Sequence, residues 1–153
     1  MKTTGKEIFL SFSLLVVLFV SSCGSKKQES TTAPTLAEEE IVTTEFLNGK
    51  KIYETRCANC HKKDGKGMGA LFPPIAASDY LPKNIDKVIC SIKYGSNEVL
   101  VVNGKSYKMP MPPQADLNEI EISDVMNYIL NSWGNKHGPI NVEKVQEALS
   151  NCQ

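Results

Sequence analysis

The residues of this chain best suited to chemistry form one short run, Cys57-Ala58-Asn59-Cys60-His61. In an exported protein, a C-x-x-C-H run indicates covalent haem attachment. Two cysteines three positions apart on a helical turn can each reach one vinyl group of the haem, and the next residue then places an imidazole beneath the iron. The run therefore predicts one covalent haem c, with Cys57 and Cys60 as thioether links and His61 as an iron ligand.

Two other uses of a C-x-x-C run fit this sequence less well. A thioredoxin-like dithiol needs a βαβ context, which the sequence does not offer. A structural zinc site needs four ligands, and Cys90 and Cys152 could supply two of them. Their spacing does not form a second C-x-x-C knuckle, so zinc and dithiol chemistry stay open only as minor alternatives.

Composition limits the class of protein. The chain has 153 residues and a formal net charge of zero. Without a basic excess or stripe, we expect no nucleic-acid partner. Aromatic residues make up only 7% of the chain, so a small domain would have a modest core that a buried cofactor could help to fill.

The N-terminal residues have the pattern of an export signal. A short basic region precedes an apolar run from Ile8 to Val20, which is shorter than the roughly 20 residues of a membrane span. Val20-Ser21-Ser22-Cys23 resembles a bacterial lipobox. We therefore expect a signal peptide over residues 1–22, lipidation of Cys23 and a lipoprotein on the periplasmic side of a bacterial membrane. The alternative is ordinary signal cleavage that leaves a cysteine behind.

The remaining chain divides into a linker and one domain. Residues 23–42 are polar and contain Pro34, which predicts a flexible linker. The folded domain is expected over residues 43–153, with a first helix that starts near Thr43 and is capped by Thr43 or Thr44.

Apolar residues recur at helical spacing through most of this domain, which predicts the all-α class. Asn118 and Glu121 predict a capping box at the start of one helix, and Gly134 is placed to terminate it. Strand signals are weak, although Val99 to Val102 before Asn103-Gly104 could form a small hairpin. After the first, the predicted helices are Asn84–Lys93, Asn118–Ser132 and Asn141–Leu149.

Over about residues 45–140, the sequence resembles the class I c-type cytochromes. It is most similar to the small domain of bacterial periplasmic carriers that is also fused to some nitrite reductases. The resemblance implies a small helical domain wrapped around one haem, in which Gly49 meets Tyr128 where the first helix crosses the last long one. Four segments carry it: Gly49-x-x-x-Tyr53 before the C-x-x-C-H run, Phe72-Pro73-Pro74-Ile75-Ala76, Tyr107-Lys108-Met109-Pro110-Met111-Pro112-Pro113, and Val125 to Asn135.

The resemblance also implies that a methionine before the last long helix is the sixth ligand of the iron. Met111 fits this pattern because it lies four residues after Tyr107 and directly before Pro-Pro. Met109 is also followed by proline and stays open as the alternative. His137 is a weaker candidate because it follows the last long helix. A methionine thioether suits low-spin haem iron and raises its reduction potential.

A histidine ligand needs its second ring nitrogen oriented by a hydrogen bond. By resemblance, the acceptor for His61 is a backbone carbonyl of the Pro73-Pro74 segment, with Pro73 the better match. Pro73 is therefore expected to take part in binding the cofactor.

Cys90 and Cys152 remain after lipid and haem have been assigned. In an oxidising compartment they could form a disulfide that ties the C-terminal tail to the middle helix. The alternative is two separate thiols, with Cys90 buried in its helix.

Together these patterns predict a membrane-anchored mono-haem electron carrier that is not an enzyme and takes no small-molecule substrate. Its partners would be other redox proteins of a respiratory chain. Lys62, Lys63 and Lys66 could steer an acidic partner, or could simply form a solvated loop. One alternative function is a fixed haem subunit of a larger respiratory or reductase complex. A less favoured one is a haem enzyme or sensor with an open sixth site.

Overall fold

The computed structural model describes residues 36–152, and their side chains from residue 44 onward. The predicted signal peptide, the lipidation site Cys23 and the linker as far as residue 35 lie outside the described residues. Within the described part of the chain, no helix is both long enough and apolar enough to cross a membrane.

Helices dominate the described chain, which confirms the all-α class. A π-helical turn over Tyr53–Cys57 joins the first two helices, and a 3₁₀ turn over Leu81–Lys83 precedes the third. The expected hairpin is present as β1 (Leu100–Val102) and β2 (Lys105–Tyr107), paired antiparallel with Leu100 opposite Tyr107. The helices are α1 (Leu36–Ile52), α2 (Ala58–His61), α3 (Ile85–Tyr94), α4 (Glu119–Leu130) and α5 (Val142–Ser150).

The predicted start of the first helix was wrong. α1 begins at Leu36 and not near Thr43, so Thr43 and Thr44 lie inside the helix and do not cap it. Leu, Ala and Glu, which fill residues 36–40, are strong helix formers, and acidic side chains interact favourably with the N-terminal end of the helix dipole. The polar composition that suggested a linker is therefore also compatible with the start of a helix.

α4 begins as predicted but ends earlier. The Asn118 side chain accepts hydrogen bonds from the backbone N–H of Ile120 and Glu121, and the Glu121 carboxylate accepts one from the Asn118 N–H, which confirms the capping box. The helix ends at Leu130 and not at Ser132. The reason is Asn131, whose side chain bonds the Asn127 carbonyl behind it and the Gly138 N–H ahead of it and so turns the chain.

α1 crosses α4 at Gly49, as expected from the resemblance. A Cβ atom on Gly49 would lie 2.0 Å from the carbonyl oxygen of Asp124 and 3.0 Å from the Cβ of Tyr128. Around this crossing, the rings of Tyr53, Tyr128 and Trp133 pack with centroids 4.9 to 5.5 Å apart. The crossing therefore fixes the chain immediately before the C-x-x-C-H run.

Asp124, beside this crossing, gives the fold a pH dependence. The residue is 5% exposed, and burial raises the pKa of its carboxyl above the usual value. Glu45 raises this pKa further, while a hydrogen bond from the Asn48 side chain lowers it. The folded state therefore takes up a proton more readily than the unfolded state, and stability rises as pH falls from neutral towards that raised pKa.

We expect Asp124→Asn to increase the free energy of unfolding at neutral pH, because it removes a buried charge. The gain should shrink as pH falls through the pKa of Asp124, which urea unfolding at a series of pH values would measure. Asp64→Asn is the control, because hydrogen bonds from Lys66 lower the pKa of the exposed Asp64 carboxyl. The same pH profile for wild type and Asp124→Asn would contradict the prediction.

Candidate functional site

An apolar cavity lies beside the C-x-x-C-H run. Apolar pockets with a few polar groups at fixed positions are typical sites for cofactors. Its walls come from the C-x-x-C-H segment, the Pro73-Pro74 loop, α3, the β-hairpin, α4 and the loop that carries Met111. Apolar side chains that line it include Phe72, Val88, Ile92, Leu100, Val102 and Ile129.

Cys57 and Cys60 are free, half-buried thiols in one wall of this cavity. Burial raises the pKa of the Cys57 thiol to about 11; the nearby Cys60 raises it further and Arg56 lowers it. Reactive cysteines have lowered pKa values, so this environment does not favour a redox dithiol. The two thiols are available for thioether bonds to a group in the cavity.

The His61 ring also lines the cavity, and its Nδ1 lies 3.0 Å from the Pro73 carbonyl oxygen. A carbonyl can only accept, so Nδ1 donates its proton and Nε2 carries none. Burial lowers the pKa of His61, while the hydrogen bond to Pro73 raises it. The ring therefore presents a neutral, oriented nitrogen, which is the form that binds a metal ion.

Gly67 holds the Pro73 carbonyl in place through close packing. Its φ is +67°, and an added Cβ would lie 2.3 Å from the Phe72 carbonyl oxygen and 2.6 Å from that of Pro73. Its own N–H donates to the carbonyl of His61 at 3.0 Å. Gly67 therefore contacts both partners of the His61–Pro73 hydrogen bond: it packs against Pro73 and donates to the carbonyl of His61.

We expect Gly67→Ala to lower the free energy of unfolding by about 1–3 kcal/mol, because the methyl group must displace the Pro73 carbonyl. The His61 ring N–H should then exchange faster with solvent, as measured by NMR. Gly69→Ala is a matched control, since Gly69 has a φ of +59° but no atom within 4 Å of the added Cβ. If both variants lost the same stability and showed the same exchange rate, backbone strain alone would explain the effect.

Met111 and Met109 both line the cavity, but they are held differently. The backbone of Met111 donates to the Ser96 carbonyl at 2.8 Å and accepts from the Ser96 N–H at 2.9 Å, and its side chain packs on the core. Met109 is 47% exposed. The geometry therefore favours Met111 as the residue that reaches a bound group. His137 is exposed, and its backbone N–H bonds the carbonyl of Leu130 outside the cavity lining.

Cys90 and Cys152 form a disulfide that joins α3 to the end of α5, with a Cα–Cα distance of 5.7 Å. This bond removes the two further thiols that a zinc site would have needed.

The lysines after the C-x-x-C-H run differ from one another. Lys62 donates to the Asn59 carbonyl, whereas Lys66 forms an exposed ion pair with Asp64 at 3.2 Å.

Sequence reasoning did not predict that the β-hairpin forms a wall of the cavity. Leu100 and Val102 line the cavity, whereas Val99 and Val101 are exposed. Residues 99–102 are all apolar, so no alternation of residue type indicates this role, and only their burial alternates. Tyr107, at the end of the hairpin, is a further lining residue.

Comparisons with known proteins agree with this geometry. A family profile described as Cytochrome c matches residues 46–133. Cytochrome c-552 of Thermus thermophilus is 35% identical over 91 residues, which cover 57% of this chain and 69% of that protein. The cytochrome c subunit of the quinone alcohol dehydrogenase of Gluconacetobacter polyoxogenes is 32% identical over 117 residues, covering 75% of this chain. The chain spans only 24% of that subunit.

Proposed function

The chain belongs to the cytochrome c family, and from this premise we propose that Cys57 and Cys60 hold its covalent haem c while His61 and Met111 ligate the iron. Family membership makes the chain an electron-transfer protein. When bound, the haem supplies the reversible gain and loss of one electron. The finer assignment of residues rests on one observation, that a single apolar cavity gathers both thiols, the oriented imidazole and the anchored thioether.

Each of these residues has a distinct task. The two thiols keep the cofactor attached, and the Pro73 carbonyl fixes the orientation of His61. Met111 would ligate the iron from a backbone that Ser96 holds on both sides. The apolar walls would limit the access of water to the bound group.

We also propose that the protein carries electrons without catalysing a reaction on a substrate. In the described part of the chain, the cavity lining contains no carboxylate and no imidazole besides His61. Enzymes that activate a bound ligand often use a carboxylate or an imidazole for proton transfer, so this lining suits a carrier better. Met111 as the sixth ligand also supports the carrier.

The export and anchoring of the protein remain proposals. A signal peptide over residues 1–22 and a lipid on Cys23 would place the domain on the periplasmic side of a membrane, near other respiratory redox proteins. A second candidate, a fixed subunit of a larger complex, is favoured by its relatives, which include the gluconate 2-dehydrogenase cytochrome c subunit of Pantoea cypripedii, 31% identical over 93 residues.

Absorption spectra of the purified protein test the carrier function, recorded in ferric and ferrous form with and without carbon monoxide. We expect a low-spin spectrum with the methionine-to-iron charge-transfer band and no rapid binding of carbon monoxide. A high-spin haem that binds carbon monoxide readily would overturn the carrier function in favour of an enzyme or sensor.

Cellular fractionation tests the anchor. Wild type should carry a radioactive palmitate label and appear in the membrane fraction, whereas Cys23→Ser should lose both. Co-purification of one stoichiometric partner after mild detergent extraction would favour the fixed subunit over the free carrier.

A further inference from the structure

We propose that α5 and the Cys90–Cys152 disulfide form a C-terminal brace that keeps Met111 in its axial position by holding α3 in place. The proposal rests on the function proposed above, because it takes Met111 as the iron ligand. Cys90 and Cys152 are then positioning residues for electron transfer, at one end of a chain of contacts that ends at the cofactor cavity.

The brace begins where α5 packs on α3. Val145 and Ala148 of α5 are almost fully buried, at 0% and 1% exposure. Lys144 pairs with Asp86 of α3 at 2.8 Å, and the disulfide joins α3 to the residue that follows α5. All of α5 lies beyond residue 133, where the match to the family ends. α5 is therefore an addition to the part of the chain that matches the family, and the disulfide ties it to Cys90 within that part.

The cavity and the brace meet different sides of α3. Val88, Ser91 and Ile92 line the cavity, whereas Asp86 and Cys90 bond to α5 and to the residue after it. A helix anchored on one side in this way resists movement away from a group held on its other side.

The last turn of α3 is also bonded to the segment that begins at Met111. The Ile92 carbonyl accepts a hydrogen bond from the Gln114 N–H at 2.8 Å. The Lys93 ammonium donates to the carbonyl oxygens of Ala115 at 3.0 Å and Leu117 at 2.7 Å. Just beyond the helix, Ser96 pairs with Met111 in both directions. The position of Met111 therefore depends on the position of α3.

Release of a methionine ligand requires local movement of the loop that carries it. Such local opening has its own free energy, which is smaller where fewer contacts hold the segment. The disulfide is the covalent link between α3 and the end of α5, so without it only noncovalent contacts such as the Lys144–Asp86 pair hold α5 on α3. The segment from Met111 to Leu117 would then open more often, and Met111 would leave the iron more often.

The rate of carbon monoxide binding to the ferrous protein tests this proposal, because methionine must leave before carbon monoxide can bind. We expect Cys90→Ser/Cys152→Ser to bind carbon monoxide about tenfold faster than wild type, within the 5–150-fold range typical of coupling between separate sites. If this variant does not fold, the same comparison uses wild type in which a phosphine has reduced the disulfide. The haem is ferrous in both samples, so they differ only at the disulfide.

Phe46→Ala is the control for a general loss of stability. Phe46 packs edge-on against Tyr128 at 5.1 Å on the α1–α4 side of the domain. This variant should unfold at lower urea concentration but bind carbon monoxide at the wild-type rate. An equal increase in rate in Phe46→Ala and in the cysteine variant would overturn the brace.

Lys93→Met tests the middle of the path. It should also speed binding, and in combination with the cysteine variant its effect should be less than multiplicative, because both changes release the same segment. Amide hydrogen exchange should increase for residues 91–117 in each case. A wild-type protein without the charge-transfer band would contradict Met111 or Met109 as the ligand. A wild type with the band and variants with an unchanged rate would reject only the brace.

Discussion

Met111→Ala is expected to give a protein that keeps its covalent haem but loses the methionine-to-iron charge-transfer band and binds carbon monoxide when ferrous. The thioether bonds at Cys57 and Cys60 do not depend on the sixth ligand, so the haem should stay attached. Axial ligands set haem potentials over a span of about 0.8 V, and methionine raises them. The reduction potential of the variant should therefore fall by on the order of 0.1 V or more, as potentiometric titration would measure.

Met109→Ala is the matched control, since both methionines line the same cavity and each precedes a proline. Met109 is 47% exposed, whereas the backbone of Met111 is paired with Ser96 on both sides. We expect Met109→Ala to keep the band and to shift the potential only slightly. The reverse result, with the band lost only in Met109→Ala, would move the axial assignment to Met109.

The candidate cofactor-binding residues could be predicted from the sequence because their signals are local. The C-x-x-C-H run places two thiols and an imidazole by spacing alone, and the capping box at Asn118 needs only Glu121 three residues later. The Pro73 carbonyl could be named because the resemblance supplied a partner for the ring nitrogen of His61. Such features depend on a few neighbouring residues and not on the packing of the whole chain.

Features that depend on tertiary contacts were harder to predict from the sequence. The end of α4 at Leu130 is set by Asn131, which bonds Gly138 across a turn that spacing does not reveal. All three residues of β1 are apolar, so their types do not show which face of the strand lines the cavity. Cys90 and Cys152 could be paired by elimination, but only the fold shows that their bond connects the end of α5 to α3, a helix that lines the cavity.

Gly49→Ala is expected to lower the free energy of unfolding by about 3 kcal/mol, the upper end of the usual cost of overpacking. In an exposed helix, the same change typically stabilises by roughly 0.5–1 kcal/mol, so the expected sign is reversed. The reason is that the new methyl group would lie 2.0 Å from the Asp124 carbonyl oxygen, which belongs to the backbone of α4 and cannot rotate away. Thermal unfolding should show a fall in Tm of about 10 °C or more.

Lys50→Ala is the control for this prediction, because Lys50 is exposed on the same helix and alanine has a similar helix propensity. An unchanged or higher Tm in Gly49→Ala would mean that α1 and α4 do not cross at Gly49.

The same clash should also reduce attachment of the cofactor. Tyr53 follows Gly49 by one helical turn, and Val125 of α4 lines the cavity. Separation of the two helices would thus move the C-x-x-C-H segment away from the opposite wall, so the fraction of protein that matures with covalent haem should fall along with the Tm.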